Sequence, residues 1–564
     1  MLSLVLCLVT GCSSAPSVPP ADLLLTGAKV WTAEAAPWAE AVAIRGADVV
    51  YVGDAAGAKT FVGPSTRRFE LSGRLLTPGF NDAHVHMMGG ALSLDRVDLI
   101  EAASLEAVQA TLRDFAKENP QAPWVLGRGW LYGSFPGGMP TKEQLDAVVS
   151  DRPAYMECYD GHSGWANSKA LALAGITRNT KDPVNGRIVR DPKTGEPTGA
   201  LKESATALVE SKIPALDAAA RYALLVRAFK KLSAQGITSA QDMGYGPRSI
   251  DAEVAVIDRA NREGTQTVRL QVGVVMNEAD FPAAIAAARK LASVPAPPLL
   301  RYHALKGFVD GVIEARTGYM LAPYEKDRST GLPNWSPEKL SEAVTAADKE
   351  GLQVHLHAIG DRGVRMALDA HEAALKLNGR ADRRGRIEHI ETIDAADYPR
   401  FKALGVIASM QPLHADPNGN LLDVWAVNVG PDRASRGFSW SNLEKAGAIL
   451  NFGSDWPVVT SDVMRGLHTA VTRTTREGTP AQGWHKEQAV GLENALRHYT
   501  IDAAFAEFAE KEKGSIVVGK KADLVVLSQD LFASGPEQIL KTKILLTLMD
   551  GKIVHQDPSF APPR

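Results

Sequence analysis

One stretch constrains this chain more than any other: Leu75-Leu76-Thr77-Pro78-Gly79-Phe80-Asn81-Asp82-Ala83-His84-Val85-His86. An apolar run breaks at Pro78-Gly79, resumes as a strand and ends in two histidines separated by one residue. Strand side chains alternate between faces, so residues i and i+2 point the same way. His84 and His86 can therefore reach one ion from one strand end. An HxH pair alone is as compatible with a structural role as with a ligand role. His357, His389 and Asp455 change that balance, because each stands at the end of its own strand-like run.

A chain of 564 residues exceeds one small core and suits a large barrel plus a smaller domain. Hydrophobic residues make up 45% and charged residues 23%, a globular composition rather than a disordered one. A formal net charge of -3 leaves nucleic-acid binding without electrostatic support. The cysteines are Cys7, Cys12 and Cys158, which offer neither a disulfide framework nor a CxxC metal site. Cys158 is most simply a small core residue. The other two bear on address. Met1 to Val9 is apolar but too short to span a bilayer, and it leads into Val9-Thr10-Gly11-Cys12-Ser13-Ser14. This resembles a bacterial lipoprotein signal with Cys12 as the lipidated residue, although the Lys or Arg expected before the apolar run is missing. Residues 1–21 then form signal and tether. The expected location is exported, lipid-anchored to the bacterial cell envelope on its periplasmic side, with the anchor as the membrane contact.

Short β-type runs divided by Gly and Asp turns follow at Leu23-Leu25, Ala28-Trp31, Ala41-Ile44 and Val49-Val52. Similar runs recur near the far end at Ala522-Leu527, Ile544-Leu548 and Lys552-His555. The two ends are expected to build one small β-sandwich, from residues 22–74 and 514–564. Between them, residues 75–513 alternate strands with amphipathic helices, the pattern of a (β/α)8 barrel in an α/β protein. Expected strands after the HxH run are 236–243, 268–274, 305–310, 352–357, 386–389, 406–410 and 448–455. Helices over 216–234 and 337–350 fit the crossovers; Pro337 sits in a first turn after Ser336. Residues from about 100 to 210 break the alternation and read as an insert.

Barrel enzymes place working residues at the C-terminal strand ends. On this parsing His84 and His86 end the first strand, Lys306 begins the fourth, and His357, His389 and Asp455 end the fifth, sixth and eighth. Imidazole and carboxylate suit zinc and similar divalent ions, and a catalytic site leaves one position open for water. Five ligands exceed the need of one four-coordinate ion, which favours two metals if an anion bridges them.

These residues, together with Gly161-His162-Ser163-Gly164-Trp165-Ala166-Asn167-Ser168, Val309-Asp310-Gly311 and His357-Ala358-Ile359-Gly360-Asp361-Arg362, carry a family resemblance. Ile387-Glu388-His389, Gly453-Ser454-Asp455-Trp456-Pro457 and Gly519-Lys520-Lys521-Ala522-Asp523-Leu524 extend it. From about residue 22 to 556 the chain resembles the amidohydrolase superfamily, in the YtcJ-like branch that includes N-substituted formamide deformylases. The resemblance implies a metal-dependent (β/α)8 barrel. It implies His84, His86 and Asp455 on one metal, with His357 and His389 on a second or shared with it. It implies two zinc ions, with one as the alternative, and a carbamate on Lys306 as the bridge. Glu203 is the other candidate bridge, and a packed or ion-paired Lys306 beside a single ion is the third arrangement. The implied chemistry is hydrolysis of a non-peptide C–N bond, an amide or formamide, in a small molecule. A metal lowers the pKa of bound water toward ~7 and polarises the carbonyl, while Asp455 shuttles the proton to the leaving amine. A homo-oligomer is compatible with the family.

Weaker candidates surround these. His162, Arg316 and His414 are candidate substrate-binding residues, each balanced against packing or surface roles. His355 shares the spacing of His357 but reads as structural. Two rival functions stay open: a mononuclear aminohydrolase (deaminase), and a lipid-anchored protein that binds small molecules without turnover. Lys306, and the absence of an acidic residue directly after His357, weigh against the deaminase; the filled ligand positions weigh against the binder.

Overall fold

The computed structural model describes residues 18–159, 161, 163–183, 186–326, 328–379 and 382–560. Cys12 and His162 lie outside the described residues, as do most of the leader and tether. Eight strands form the central sheet: β1 (Phe80–Val85), β2 (Ile237–Tyr245), β3 (Arg269–Met276), β4 (Leu300–Phe308), β5 (Gln353–Ala358), β6 (Arg386–His389), β7 (Ile407–Met410) and β8 (Leu450–Phe452). Each pairs in parallel with its neighbours in chain order. The ring is drawn nearly shut past β8, where Asp455 N–H donates to the His84 carbonyl (2.7 Å) and His86 N–H to the Trp456 carbonyl (2.8 Å). The HxH motif and Asp455, 369 positions downstream of His86, thus meet through backbone bonds at the seam.

Crossover helices cover the outside. Ala218–Ala234 is capped by Asp217, whose side chain accepts from Ala220 N–H, and it buries Leu224, Leu225, Ala228, Phe229 and Leu232. That three-and-four spacing is the apolar stripe of a helix lying on a sheet. Pro337–Lys349 starts with proline in its first turn, where a missing N–H costs nothing.

Both chain ends build two further sheets around one apolar core containing Leu23, Val30, Val42, Leu76, Leu524, Val526 and Leu546. One departure from the sequence reading falls here. Leu75–Pro78, assigned to the barrel, pairs antiparallel with Leu524–Leu527 and parallel with Lys29–Trp31. The chain passes from sandwich to barrel at Gly79, where a Cβ would meet Thr238 Oγ1 at 2.2 Å. Two strand bounds also shift. β4 runs over 300–308, so Lys306 lies near its C-terminal end rather than its start, and β8 ends at Phe452, three residues before Asp455. The insert forms a six-stranded sheet from Val97–Asp98 to Pro197–Glu203, with apolar clusters of its own. Cys158 belongs to one of them. Among the described residues, no helix is long and apolar enough to cross a membrane.

Candidate metal centre

Four of the six expected ligands gather on one point. His84 Nε2 lies 3.4 Å and His86 Nε2 3.1 Å from Asp455 Oδ1. Single ligand atoms of His84, His389 and Asp455 all lie within 4.8 Å of one another. His357 flanks this group, its ring 4.6 Å from that of His389. Lys306 is buried next door on β4, in register with His355 on β5.

Each buried histidine is oriented by an acceptor on its far side. His84 Nδ1 lies 2.8 Å from Glu388 Oε2, His389 Nδ1 2.8 Å from Gln411 Oε1, and His357 Nε2 3.2 Å from the Gly311 carbonyl. Donating a proton outward leaves the opposite nitrogen with a lone pair, the arrangement a metal ligand needs. Burial, aided by the charge of Lys306, lowers the pKa of His84 to about 4 and of His357 to about 3. The lone pairs are therefore free of protons at neutral pH. Burial acts to raise the pKa of Asp455, but His84 and His86 outweigh it and hold the carboxylate ionised.

The donor set fits a divalent cation on a second ground. His84 Nε2, Asp455 Oδ1 and Lys306 Nζ are all buried without a hydrogen-bond partner. An unsatisfied buried polar atom costs ~1–3 kcal/mol, and here such atoms converge where nitrogen and oxygen ligands for zinc would be needed. Burial lowers the Lys306 pKa to about 8, which brings the neutral amine, the form that reacts with carbon dioxide, within reach of physiological pH. Glu203 is exposed at the end of an insert strand, unlike the buried Lys306.

Local backbone makes the convergence possible. Glu388 and His389 are adjacent and would face opposite ways in a continuous strand. The strand ends at His389 with φ of 76°, followed by Ile390 at 49°, and both side chains reach His84. Asp455 likewise has φ of 63°. Such left-handed non-glycine residues are costly and concentrate at functional sites.

The weaker candidates separate. His414, in the short turn Pro412–Ala415 after β7, stacks on His389 (5.7 Å, 3° between planes) with Nε2 3.5 Å from Asp455 Oδ2. Arg316 Nε donates to Asn428 Oδ1 at 3.2 Å. His355 is buried and lies outside the His84–His389–Asp455 group. Sequence reasoning gave no role to Glu388, which lies between Arg386 Nε (2.9 Å) and His84. It also missed Asp310, whose carboxylate accepts from Ile359, Gly360 and Tyr319 N–H and shapes the turn after His357. The usable signal was strand alternation: Arg386 and Glu388 share the inward face.

Comparison with known proteins agrees with this geometry. The profile described as "Amidohydrolase family" matches residues 69–555. Protein LONG AFTER FAR-RED 3 of Arabidopsis thaliana is 32% identical, across 95% of this chain and 92% of its own length. N-substituted formamide deformylase of Arthrobacter pascens is 28% identical, across 95% and 98%. An uncharacterised metal-dependent hydrolase from Pyrococcus horikoshii superposes with a TM-score of 0.73 at 25% identity, covering 91% of this chain and 99% of that one. Fold, buried ligand cluster and family match agree: the chain belongs to the amidohydrolase family.

Proposed function

We propose that this amidohydrolase hydrolyses a non-peptide C–N bond, an amide or formamide, in a small molecule, and that its site holds two zinc ions. The observation that carries the reading is the convergence of His84, His86, His389 and Asp455 beside the unpartnered Lys306 amine. His84, His86 and Asp455 would hold one ion, His357 and His389 the other, and a carboxylated Lys306 would bridge them. Bound metal supplies electrostatic activation of water and of the substrate carbonyl. Asp455 accepts a proton from the attacking water as the new C–O bond forms. It returns that proton to nitrogen as the C–N bond breaks and the electron pair leaves with the amine. Glu388, Gln411 and the Gly311 carbonyl keep three imidazoles in the tautomer this requires.

The deformylase relative supports a formamide or related amide, and the leader supports export with Cys12 as the lipid anchor. The test is amine release from formamides, acylated amines, cyclic amides and esters by metal-loaded and chelated protein. C–N cleavage that disappears on chelation and returns with zinc is expected. Ammonia release from amino-heterocycles, with one ion per chain, would instead make this a deaminase. Tight metal binding with no turnover across the panel would leave a binding protein.

A further inference from the structure

The two oxygens of Asp455 have different neighbours. Oδ1 faces His84 and His86, at 3.4 and 3.1 Å, on the side where a metal would sit. Oδ2 faces His414 Nε2 at 3.5 Å. His414 is itself aligned from behind: its Nδ1 lies 3.6 Å from Glu391 Oε1, and Glu391 Oε2 accepts from the Trp425 indole N–H at 2.7 Å. The imidazole is further fixed by stacking on His389. Its Nε2 is buried and has no hydrogen-bond partner. At 3.5 and 3.6 Å these contacts are longer than hydrogen bonds, as is common for catalytic contacts that close only with substrate present.

We propose that Glu391 and His414 are positioning residues that keep Asp455 Oδ2 turned away from the metal side, free to carry the proton to the departing nitrogen. This rests on the C–N reading above. A carboxylate that gives both oxygens to metal ions is a poor base, because both lone-pair sets are then engaged in coordination. Trp425 fixes Glu391, Glu391 fixes His414, and His414 gives Oδ2 a neighbour on the side away from His84 and His86. The proton taken from water then sits on Oδ2 and passes to nitrogen as the C–N bond breaks, with no further reactant required.

The test uses metal-loaded Glu391→Gln and His414→Asn, with 4-substituted formanilides and a 4-nitrophenyl ester as probes. A nitrophenolate leaves without needing a proton, whereas an anilide nitrogen must be protonated to leave. Each variant is expected to retain its metal and to lose at least about tenfold more kcat on the anilides than on the ester, less than the ~10²–10⁴-fold that losing the acid–base group itself would cost. KM should move less than about twofold, and the loss should grow with the basicity of the leaving aniline. Equal losses on anilide and ester, lost metal, or unchanged anilide turnover would each overturn the proposal. Should the wild type cleave neither probe, the C–N reading fails first, and crystal structures of zinc-loaded wild type and His414→Ala still decide the inference. Rotation of Oδ2 onto the metal side in the variant supports it; an unmoved carboxylate overturns it.

Discussion

We propose Asp455 both as a metal ligand and as the proton carrier, and its surroundings accommodate both roles. It is ionised despite burial because two imidazoles face one of its oxygens. Asp455→Asn keeps the size and one oxygen but removes the base. That variant should remain folded and largely metal-loaded while kcat falls ~10²–10⁴-fold; turnover above about a tenth of wild type would contradict the role. His84 gives a pH prediction. Its folded pKa of about 4 lies below the ordinary value near 6.5, so the unfolded chain takes up a proton first as pH falls. Its contribution is fully present above about pH 6.5 and is lost as pH falls toward 4, by up to about 1.4 kcal/mol per unit. Urea denaturation of chelated protein should show the stability difference between wild type and His84→Gln shrinking across that window. A difference independent of pH would show that His84 titrates normally in the fold.

The seam between β1 and β8 is the element on which the site depends. A Cβ on Gly453 would lie 2.4 Å from the His84 nitrogen and 2.8 Å from its Cβ, with no flexible side-chain end to yield. Gly453→Ala should therefore displace His84, lowering metal content below half of wild type while far-ultraviolet circular dichroism stays close to native. Normal metal content would show that the seam tolerates displacement. Elements of this kind were partly legible in the sequence. HxH spacing and strand-end position singled out His84, His86, His357 and His389, because alternation and barrel polarity are local rules. Glu388 escaped although alternation puts it on the inward face with Arg386, because His389 beside it reaches the same site only through a left-handed backbone that no periodicity announces. His414 was singled out only as a substrate-binding candidate, and its pairing with Glu391 and Asp455 escaped because only folding brings the ends of β6, β7 and β8 together.

At the scale of the molecule, the α/β barrel and the sandwich from both ends followed from hydrophobic patterning, since each segment carries its own period. The join at Gly79 did not, because Leu75–Pro78 and Phe80–Val85 are both fully buried strands and only their partners distinguish them. The start of β4 at Leu300, earlier than the apolar run from Leu305 suggests, likewise hid that Lys306 lies near the end of that strand, level with His355, where it can serve the site. That placement is what makes a two-metal centre the central claim. The most direct measurement is anomalous diffraction from crystals of the zinc-loaded protein. The account predicts two zinc peaks, one within ~2.0–2.2 Å of His84, His86 and Asp455 and one within that distance of His357 and His389, with carbamate density on Lys306 between them. A single peak beside an unmodified Lys306 amine, or zinc bound elsewhere, would contradict it.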